Sequence, residues 1–331
     1  MEEAGGGGMN ILYVANRWDY GDQASGHLSY EHYNFYEPLV RMRHQVVEFD
    51  YKQVSNQFGQ DEMNRKLEGL VESMRPDLLF ACFMYDEVSR EGMRRISARG
   101  DVKTVLWLCD DHWRWESFSC QWAPCFNWVA TTAGDAPAKY EAMGCRNYIK
   151  TQWGANSVFF YPGPPRLPPL YDVTFVGRGH GDRHLYLEPL RQAGFNVRVW
   201  GPGHGEGRLS QEGTMGMVEV MGRSKINLNF SESAQPGYRQ IKGRHFEIPG
   251  CGGFQLTNDA DNLRDYFEFG KEIGVFEGVE DLVEKVRYYL AHWVEREAIA
   301  AAGWRRCVRD HTWEKRFGEI FERMGLGGGG R

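Results

Sequence analysis

The feature that most constrains the fold is an alternation of strand patterns with helix patterns, which stops at one proline-rich stretch and then starts again. That stretch is residues 154–170, which contain five prolines. Alternating strands and helices predict a parallel sheet with helices on both faces. Because proline continues neither a helix nor a central strand, residues 154–170 are predicted to link two similar α/β domains.

The predicted elements follow apolar runs and helical spacing of apolar residues. Strands are predicted at residues 10–15, 46–49, 77–83, 103–109, 127–131 and 147–151, and after the linker at 171–176, 196–200, 226–230, 254–256 and 273–276. Helices are predicted at residues 29–43, 61–74, 88–98, 135–143, 185–193, 211–222, 279–292, 295–309 and 312–324. The predicted domains are therefore 9–153 and 171–309, followed by a C-terminal helix at 310–325, with flexible tails at 1–8 and 326–331.

Bulk properties exclude several classes of protein. The 331 residues suit two domains of roughly 150 residues each. A net charge of −6 argues against a chain-wide electrostatic grip on nucleic acid. The seven cysteines are irregularly spaced and form no paired clusters with histidine, which indicates reduced thiols and no metal site. Without a signal peptide or an apolar run long enough to span a membrane, we expect a cytoplasmic protein.

One stretch, residues 224–257, gathers charged residues between two apolar runs. Arg239, Lys242 and Arg244 stand close to Glu247, in a segment that predicts strand, loop, helix, glycine turn and strand. Cations at a junction of loop and helix suit an anion such as a diphosphate, and a nearby carboxylate accepts hydrogen bonds from sugar hydroxyls. The stretch therefore indicates a nucleotide-sugar site.

Four segments of the second half resemble the donor domain of the GT-B glycosyltransferases, in particular the CgeB-like (spore maturation protein) group and the related family-4-type enzymes. They are YDVTFVGRGHGDR (171–183), SKINLNF (224–230), KGRHFEIPGCGGFQLT (242–257) and HTWEKRF (311–317). The first half resembles the same group through WLCDDHW (107–113).

The resemblance implies a GT-B fold, in which two Rossmann-like domains with parallel sheets face a central cleft and the last helix crosses back to the first domain. It implies a hexosyl or related transferase that takes a nucleoside-diphosphate sugar, with UDP the first candidate, and needs no metal or other cofactor. The acceptor is unknown: a protein, a glycan, a small molecule or a modified nucleic acid. An epimerase or hydrolase of nucleotide sugars and a non-catalytic nucleotide-sugar-binding protein remain alternatives.

The sequence departs from the family-4 pattern at one position. Those enzymes carry two glutamates in an E-x₇-E arrangement, and here the second falls on Glu247 while Arg239 occupies the place of the first. The departure leaves a retaining mechanism without its first carboxylate. Stereochemistry and oligomeric state are not predicted.

Donor-side candidates follow from the resemblance and from strand ends. Their set is Arg178, Arg239, Lys242 and Arg244 for the diphosphate, Glu247 for the ribose hydroxyls, and Gly177, Asn229, Gly252 and Gly253 as neighbours of the ligand. The two last glycines could equally form the turn between helix and strand. Asn229 could equally face the outer side of the sheet. In an open parallel sheet, ligands bind beyond the carboxyl ends of the strands, which favours Arg178 directly after its strand.

Acceptor-side candidates lie in the first half, after strands. Asp110, Asp111 and His112 follow the buried strand at 103–109 and are the candidates for a base, although the aspartates could instead cap a helix or pair with Arg114. The further acceptor-side candidates are Asn16, Arg17, Asp19, His27 and Asp86. A GxGxxG match occurs in the glycine-rich tail at residues 325–330 rather than between a predicted strand and a predicted helix, and this argues against an NAD enzyme.

Overall fold

The chain forms two compact units, each built on its own parallel sheet. This computed structural model describes residues 8–159, 168–179, 181–201, 213–233, 235 and 237–327. Unit 1 comprises Met1–Gln152 and Trp313–Arg331, and unit 2 comprises Trp153–Thr312. Most of the two predicted tails and the middle of the predicted linker lie outside the described residues.

Unit 1 contains a six-stranded sheet. Its strands are β1 (Asn10–Ala15), β2 (Gln45–Asp50), β3 (Leu78–Ala81), β4 (Lys103–Leu108), β5 (Trp128–Thr131) and β6 (Tyr148–Lys150), in the order β2-β1-β3-β4-β5-β6. Its helices include α1 (Glu37–Arg41), α2 (Tyr51–Phe58), α3 (Gln60–Met74), α4 (Arg90–Ser97), α5 (Asp111–Arg114), α6 (Cys120–Trp122) and α7 (Ala136–Ala142). Single π-helical turns, His32–Tyr36 and Trp115–Ser119, precede α1 and α6.

Unit 2 contains a five-stranded sheet. Its strands are β7 (Tyr171–Val176), β8 (Val197–Trp200), β9 (Ser224–Asn229), β10 (Gln255–Asn258) and β11 (Gly274–Phe276), in the order β11-β10-β9-β7-β8. Its helices are α8 (His184–Gln192), α9 (Gly213–Gly222), α10 (Arg244–Gly250), α11 (Val279–Ala291) and α12 (Trp293–Asp310). None of the described helices of the chain combines the length and the apolar character needed to cross a bilayer.

In both sheets, every pair of hydrogen-bonded neighbouring strands named above is parallel, as the alternation of strands and helices predicts. Residues 11–15 of β1 are completely buried, which is typical of a strand covered by helices on both faces. Helix α2 was not predicted, because its eight residues are largely polar. The side chain of Asp50 starts it by accepting a hydrogen bond from the backbone N–H of Gln53 at 3.0 Å.

The C-terminal helix α13 (Trp313–Arg323) belongs to unit 1. Trp313 and Phe317 are completely buried, and both rings pack against Phe35. The indole N–H of Trp313 donates to Asn34 Oδ1 at 3.1 Å. An apolar face of α13 thus completes the core of a unit whose other described helices and strands end with β6, at Lys150.

We expect Phe317→Ala to lower the free energy of unfolding of unit 1 by about 3–5 kcal/mol, because it leaves a cavity in a packed aromatic cluster. The matched control is Phe58→Ala, since Phe58 is 48% exposed and its loss leaves no internal cavity. Urea unfolding followed by tryptophan fluorescence measures both. Equal losses in the two variants would contradict the packing of α13 described above.

Candidate functional site

The carboxyl edge of the unit 2 sheet gathers polar side chains after β7 and β9. Gly177 follows β7 and lies against the end of β8, where its N–H donates to the Trp200 carbonyl at 2.9 Å. A Cβ at Gly201 would lie 2.0 Å from the Gly177 carbonyl oxygen, so no side chain fits there. The two glycines allow the backbones to come this close, and Arg178, which is exposed, follows directly.

The ammonium of Lys242 lies at the carboxyl end of β9. It donates to the Phe230 carbonyl at 2.9 Å and to the Glu232 carbonyl. A half-buried lysine is costly to desolvate unless its charge is hydrogen-bonded, and the two carbonyls fulfil that need. Lys242 therefore brings a fixed positive charge to this edge and at the same time holds the loop after β9.

An ion pair in the first turn of α10 connects this helix to the end of β7. The guanidinium of Arg244 donates to Glu247 Oε2, and its Nε donates to the Val176 carbonyl at 3.3 Å. The side chain of Glu247 is only 8% exposed. The pair thus holds a carboxylate at the same edge as Arg178.

His245 is a buried residue of this site that the sequence did not reveal. Its Nδ1 accepts from the backbone N–H of Lys242 at 2.9 Å, and its Nε2 lies 3.3 Å from the hydroxyls of Ser231 and Thr257. Burial, followed by the charge of Lys242, lowers the pKa of His245 to about 3. The imidazole is therefore neutral and positions the loop that carries Lys242.

Arg239 is partly neutralised by a second residue that sequence reasoning missed. Its Nε lies 3.6 Å from Glu232 Oε1, and the two residues also form an isolated antiparallel bridge. Glu232 accepts further hydrogen bonds from Tyr186 at 3.1 Å and from Asn258 at 2.5 Å. Because Glu232 offsets its charge, Arg239 contributes less to the potential at the edge than the sequence suggests.

Arg183 supplies another cation at this edge, and it too was not predicted. It is 6% exposed, lies 5.3 Å from the centre of the Phe175 ring and donates to the carbonyl of Arg178. Burial lowers the pKa of Arg183 to about 10, with Glu232 opposing the shift, so the guanidinium stays charged at neutral pH. Its hydrogen bond to the carbonyl of Arg178 holds the backbone of that residue.

Gly252 and Gly253 do not belong to this edge. They follow α10 where β10 begins, which is the amino end of a parallel strand and thus the opposite edge of the sheet. Gly252 has a φ of +71°, and the N–H of Gly253 donates to the Ile248 carbonyl at 2.9 Å, as expected of a helix end. Their prediction as donor-binding residues is corrected to the turn that was its alternative. Asn229 is buried, and its amide lies 3.5 Å from Gln255 Oε1 inside the sheet.

The candidate base Asp111 is completely buried in unit 1. Its carboxylate accepts hydrogen bonds from Ser119 Oγ at 2.5 Å and from Tyr140 Oη at 2.8 Å. Both oxygens are thereby used inside the core, so the role of substrate base does not fit Asp111. His112 is buried as well, at 8% exposure.

Other predicted acceptor-side residues divide into two groups. Asn16 and Asp110 line a cavity of about 280 Å³ at the carboxyl ends of β1, β3 and β4. By contrast, Arg17 pairs with Glu48 at 2.8 Å, and Asp86 accepts from Trp122 at 3.0 Å and pairs with Arg90. Arg17 and Asp86 are thus paired with other side chains and do not line the cavity. The two remaining candidates, Asp19 and His27, do not line it either.

Glu31 lines the same cavity and was missed by sequence reasoning. Burial raises the pKa of Glu31 to about 6, and the charges of Asp19 and Asp110 act in the same direction. Nothing in the local sequence marks Glu31, because the carboxylates that surround it come from distant segments. Within the described residues, no three His, Cys, Asp or Glu side chains are grouped so as to hold a metal ion.

Comparison with known proteins supports the GT-B fold. Residues 183–322 match the family model described as "Glycosyl transferase-like". The solved structures similar to this chain include a glycosyltransferase from Rickettsia africae (10% identity, TM-score 0.63, 96% of this chain and 99% of that one), HepE from Anabaena in complex with UDP and glucose (13%, 0.63, 96% and 99%) and sucrose-phosphate synthase from Thermosynechococcus elongatus (12%, 0.61, 95% and 97%). No curated protein sequence matches this chain.

These likenesses decide the fold class. The chain has the two parallel-sheet α/β domains of the GT-B glycosyltransferases. The predicted fold class, two α/β domains that each have a parallel sheet, is thereby confirmed. The resemblance to the CgeB-like group within this class stays a prediction.

The neutral His245 predicts how stability depends on pH. Its pKa is about 3 in the folded chain and 6.5 in its ordinary state, so the unfolded chain takes up the proton first as the pH falls. The contribution of the neutral imidazole to the free energy of unfolding is complete above pH ~6.5. It is lost as the pH falls toward ~3, at up to about 1.4 kcal/mol per pH unit. His245→Asn should flatten the pH dependence of the unfolding free energy between pH 6.5 and 4, measured by urea unfolding at several pH values.

The control is His292→Asn, at an exposed position at the end of α11. It should keep the steep dependence of the unmodified chain. A His245→Asn variant with that same steep dependence would show that His245 is not held neutral in the fold.

Proposed function

We propose that this protein is a glycosyltransferase that binds a nucleoside-diphosphate sugar at the carboxyl edge of the unit 2 sheet. One observation carries the proposal: Lys242 and the Arg244–Glu247 pair meet at that edge, inside the segment that matches the glycosyl transferase-like family. Arg178 and the buried Arg183 add positive charge after β7. The position is where ligands of open parallel sheets bind.

The chemistry of transfer requires this kind of edge. The bond between the anomeric carbon and the diphosphate breaks, and the negative charge that develops on the leaving group must be stabilised. Arg178 offers a planar guanidinium that matches phosphate oxygens, and Lys242 offers a point charge already fixed by the carbonyls of the β9 loop. We propose that these cations stabilise the diphosphate without a resident metal.

Glu247 suits the sugar of the nucleotide. Its carboxylate is held by Arg244, so it presents acceptors for the ribose hydroxyls in a fixed orientation. We propose UDP as the nucleotide, since HepE from Anabaena, which shares the fold, has been solved in complex with UDP and with UDP-glucose. The proposed class is thus a hexosyl or related transferase.

Binding of the donor can be tested by thermal unfolding of the protein with UDP, GDP, dTDP and CDP sugars, one at a time. A ligand that binds only the folded chain raises the melting temperature, and we expect the largest rise with a UDP sugar. A flat response to all four nucleotides would count against the proposed donor site.

We expect Arg178→Met to weaken UDP binding by about 10- to 100-fold. The removed contact is a hydrogen bond between charged groups, worth about 1.5–3 kcal/mol, and 1.4 kcal/mol corresponds to a factor of ten. Arg198→Met is the matched control, because Arg198 is an exposed arginine within β8 rather than at the edge. Titration calorimetry compares the two, and an unchanged Kd for Arg178→Met would remove Arg178 from the site.

A further inference from the structure

The unit 1 cavity lies at the carboxyl ends of β1, β3 and β4. Asn16, Cys82 and Cys109, which directly follow these strands, are in its lining. Its volume is about 280 Å³, just below the roughly 300–1,000 Å³ of ordinary ligand pockets. It therefore suits a single ring rather than a nucleotide. The polar and aromatic residues of its lining include Asn16, Tyr20, Glu31, Asp110, Trp113 and Arg114.

The polar part of this lining includes three side chains that accept hydrogen bonds through oxygen, Asn16, Glu31 and Asp110. Asn16 is 4% exposed, and its Oδ1 is a buried acceptor with no hydrogen-bond partner among the residues that the structure describes. A buried acceptor without a donor is costly, which points to a ligand or solvent that donates to it. Glu31 and Asp110 add two carboxylates to the same cavity.

The cation in the lining is engaged by the protein itself. The guanidinium of Arg114 lies 4.0 Å from the centre of the Phe118 ring and donates to the Met84 carbonyl at 3.3 Å. It offsets one of the two carboxylates, so the cavity remains acidic. An anionic group would meet repulsion there, whereas hydroxyl and ammonium groups would find partners.

The apolar part of the lining includes aromatic side chains near the polar groups. Tyr20 and Trp113 both line the cavity, and aromatic faces of this kind suit the apolar face of a sugar ring. Tyr20 holds a left-handed backbone conformation, with φ 51° and ψ 23°, which is costly for a bulky residue. Strain of this kind is concentrated at functional sites.

We propose that this cavity is the acceptor site, that it takes a neutral or cationic hydroxyl-bearing ring such as a sugar or an amino sugar, and that Glu31 is the catalytic base. The inference rests on the proposed function. Glu31 takes the place of Asp111 as the candidate base. The carboxylate of Asp111 is hydrogen-bonded within the core, whereas that of Glu31 is partly exposed and lines the cavity.

The acceptor hydroxyl oxygen forms a bond to the anomeric carbon of the donor while the bond from that carbon to the diphosphate oxygen breaks. The electron pair of the broken bond leaves with the diphosphate, and the hydroxyl proton passes to the carboxylate of Glu31. The next turnover requires Glu31 to release that proton to solvent.

The protonation of Glu31 suits this role near neutral pH. Burial raises the pKa of Glu31 to about 6, so the group is mostly ionised at pH 7 yet is a stronger base than an ordinary glutamate. The titratable and charged groups around it are Asp19, Asp110, Cys82, Cys109, Tyr13 and Arg114. Burial is the largest cause of the raised pKa of Glu31, and the charges of Asp19 and Asp110 act in the same direction.

The acceptor class is tested with three ring probes: glucose, glucosamine and glucuronate. Ligand-observed NMR titrations of the full chain at pH 7.5 measure their binding. We expect glucose and glucosamine to bind and glucuronate to bind at least about tenfold more weakly, since each 1.4 kcal/mol of repulsion is a factor of ten. Glucuronate binding equal to that of glucosamine, or no binding by any of the three, would overturn the assignment of the cavity.

The base is tested with Glu31→Gln, using UDP-glucose as donor and glucosamine as acceptor. We expect kcat to fall by about 100-fold or more, within the 10²–10⁴-fold range of general base catalysis. The rise of kcat as the pH increases through about 6 should disappear with it. Glu37→Gln is the matched control, because Glu37 lies on α1 and pairs with Arg41 at 3.6 Å. An unchanged kcat and pH profile in Glu31→Gln would overturn the role of Glu31.

Failure of the role of Glu31 can be distinguished from failure of the proposed donor site. Glu31→Gln should show the same UDP-induced rise in melting temperature as the unmodified chain, which also shows that the variant is folded. If it does not fold, Glu31→Asp replaces it and should retain the pH-dependent limb at a lower kcat. If no UDP sugar binds at all, the donor proposal fails, while the NMR titrations still decide what the cavity binds.

Discussion

Parallel pairing of the strands is the constraint on which the rest of the structure depends. Neighbouring parallel strands all end at the same edge of a sheet, and the chain must cross over through a helix before the next strand begins. The loops that leave this edge are therefore brought together although they are far apart in sequence. In unit 2 these loops carry Arg178 and Lys242, and in unit 1 they carry Asn16 and Asp110.

Positive charge at the unit 2 edge is kept in place by the protein's own dipoles and rings. Lys242 is held by two carbonyls and Arg183 by a carbonyl and an aromatic ring, so the charges need little rearrangement when an anion arrives. The neutral His245 supports this arrangement without adding a third buried charge. Unit 1 has the opposite character, since its cavity carries two carboxylates and a cation already bound to the chain.

The sequence was sufficient for the fold class because apolar runs with polar flanks define buried strands. Strands β1 and β7 begin and end at the residues predicted for them. The roles of individual side chains in the sites were harder to predict, because they depend on partners that are far away in the sequence. Asp111 stands at a strand end as expected, but it turns inward to Tyr140, which lies 29 residues further along the chain. No local sequence signal marks Glu31, since its raised pKa comes first from burial and then from the charges of Asp19 and Asp110.

The central claim is that a nucleoside diphosphate binds at the carboxyl edge of the unit 2 sheet. A crystal structure of the protein with UDP tests it most directly. The account predicts diphosphate oxygens within hydrogen-bonding distance of Arg178 and Lys242, and the ribose hydroxyls against the carboxylate of Glu247. UDP bound in the unit 1 cavity, or on unit 2 at the edge formed by Gly252 and Gly253, would contradict it.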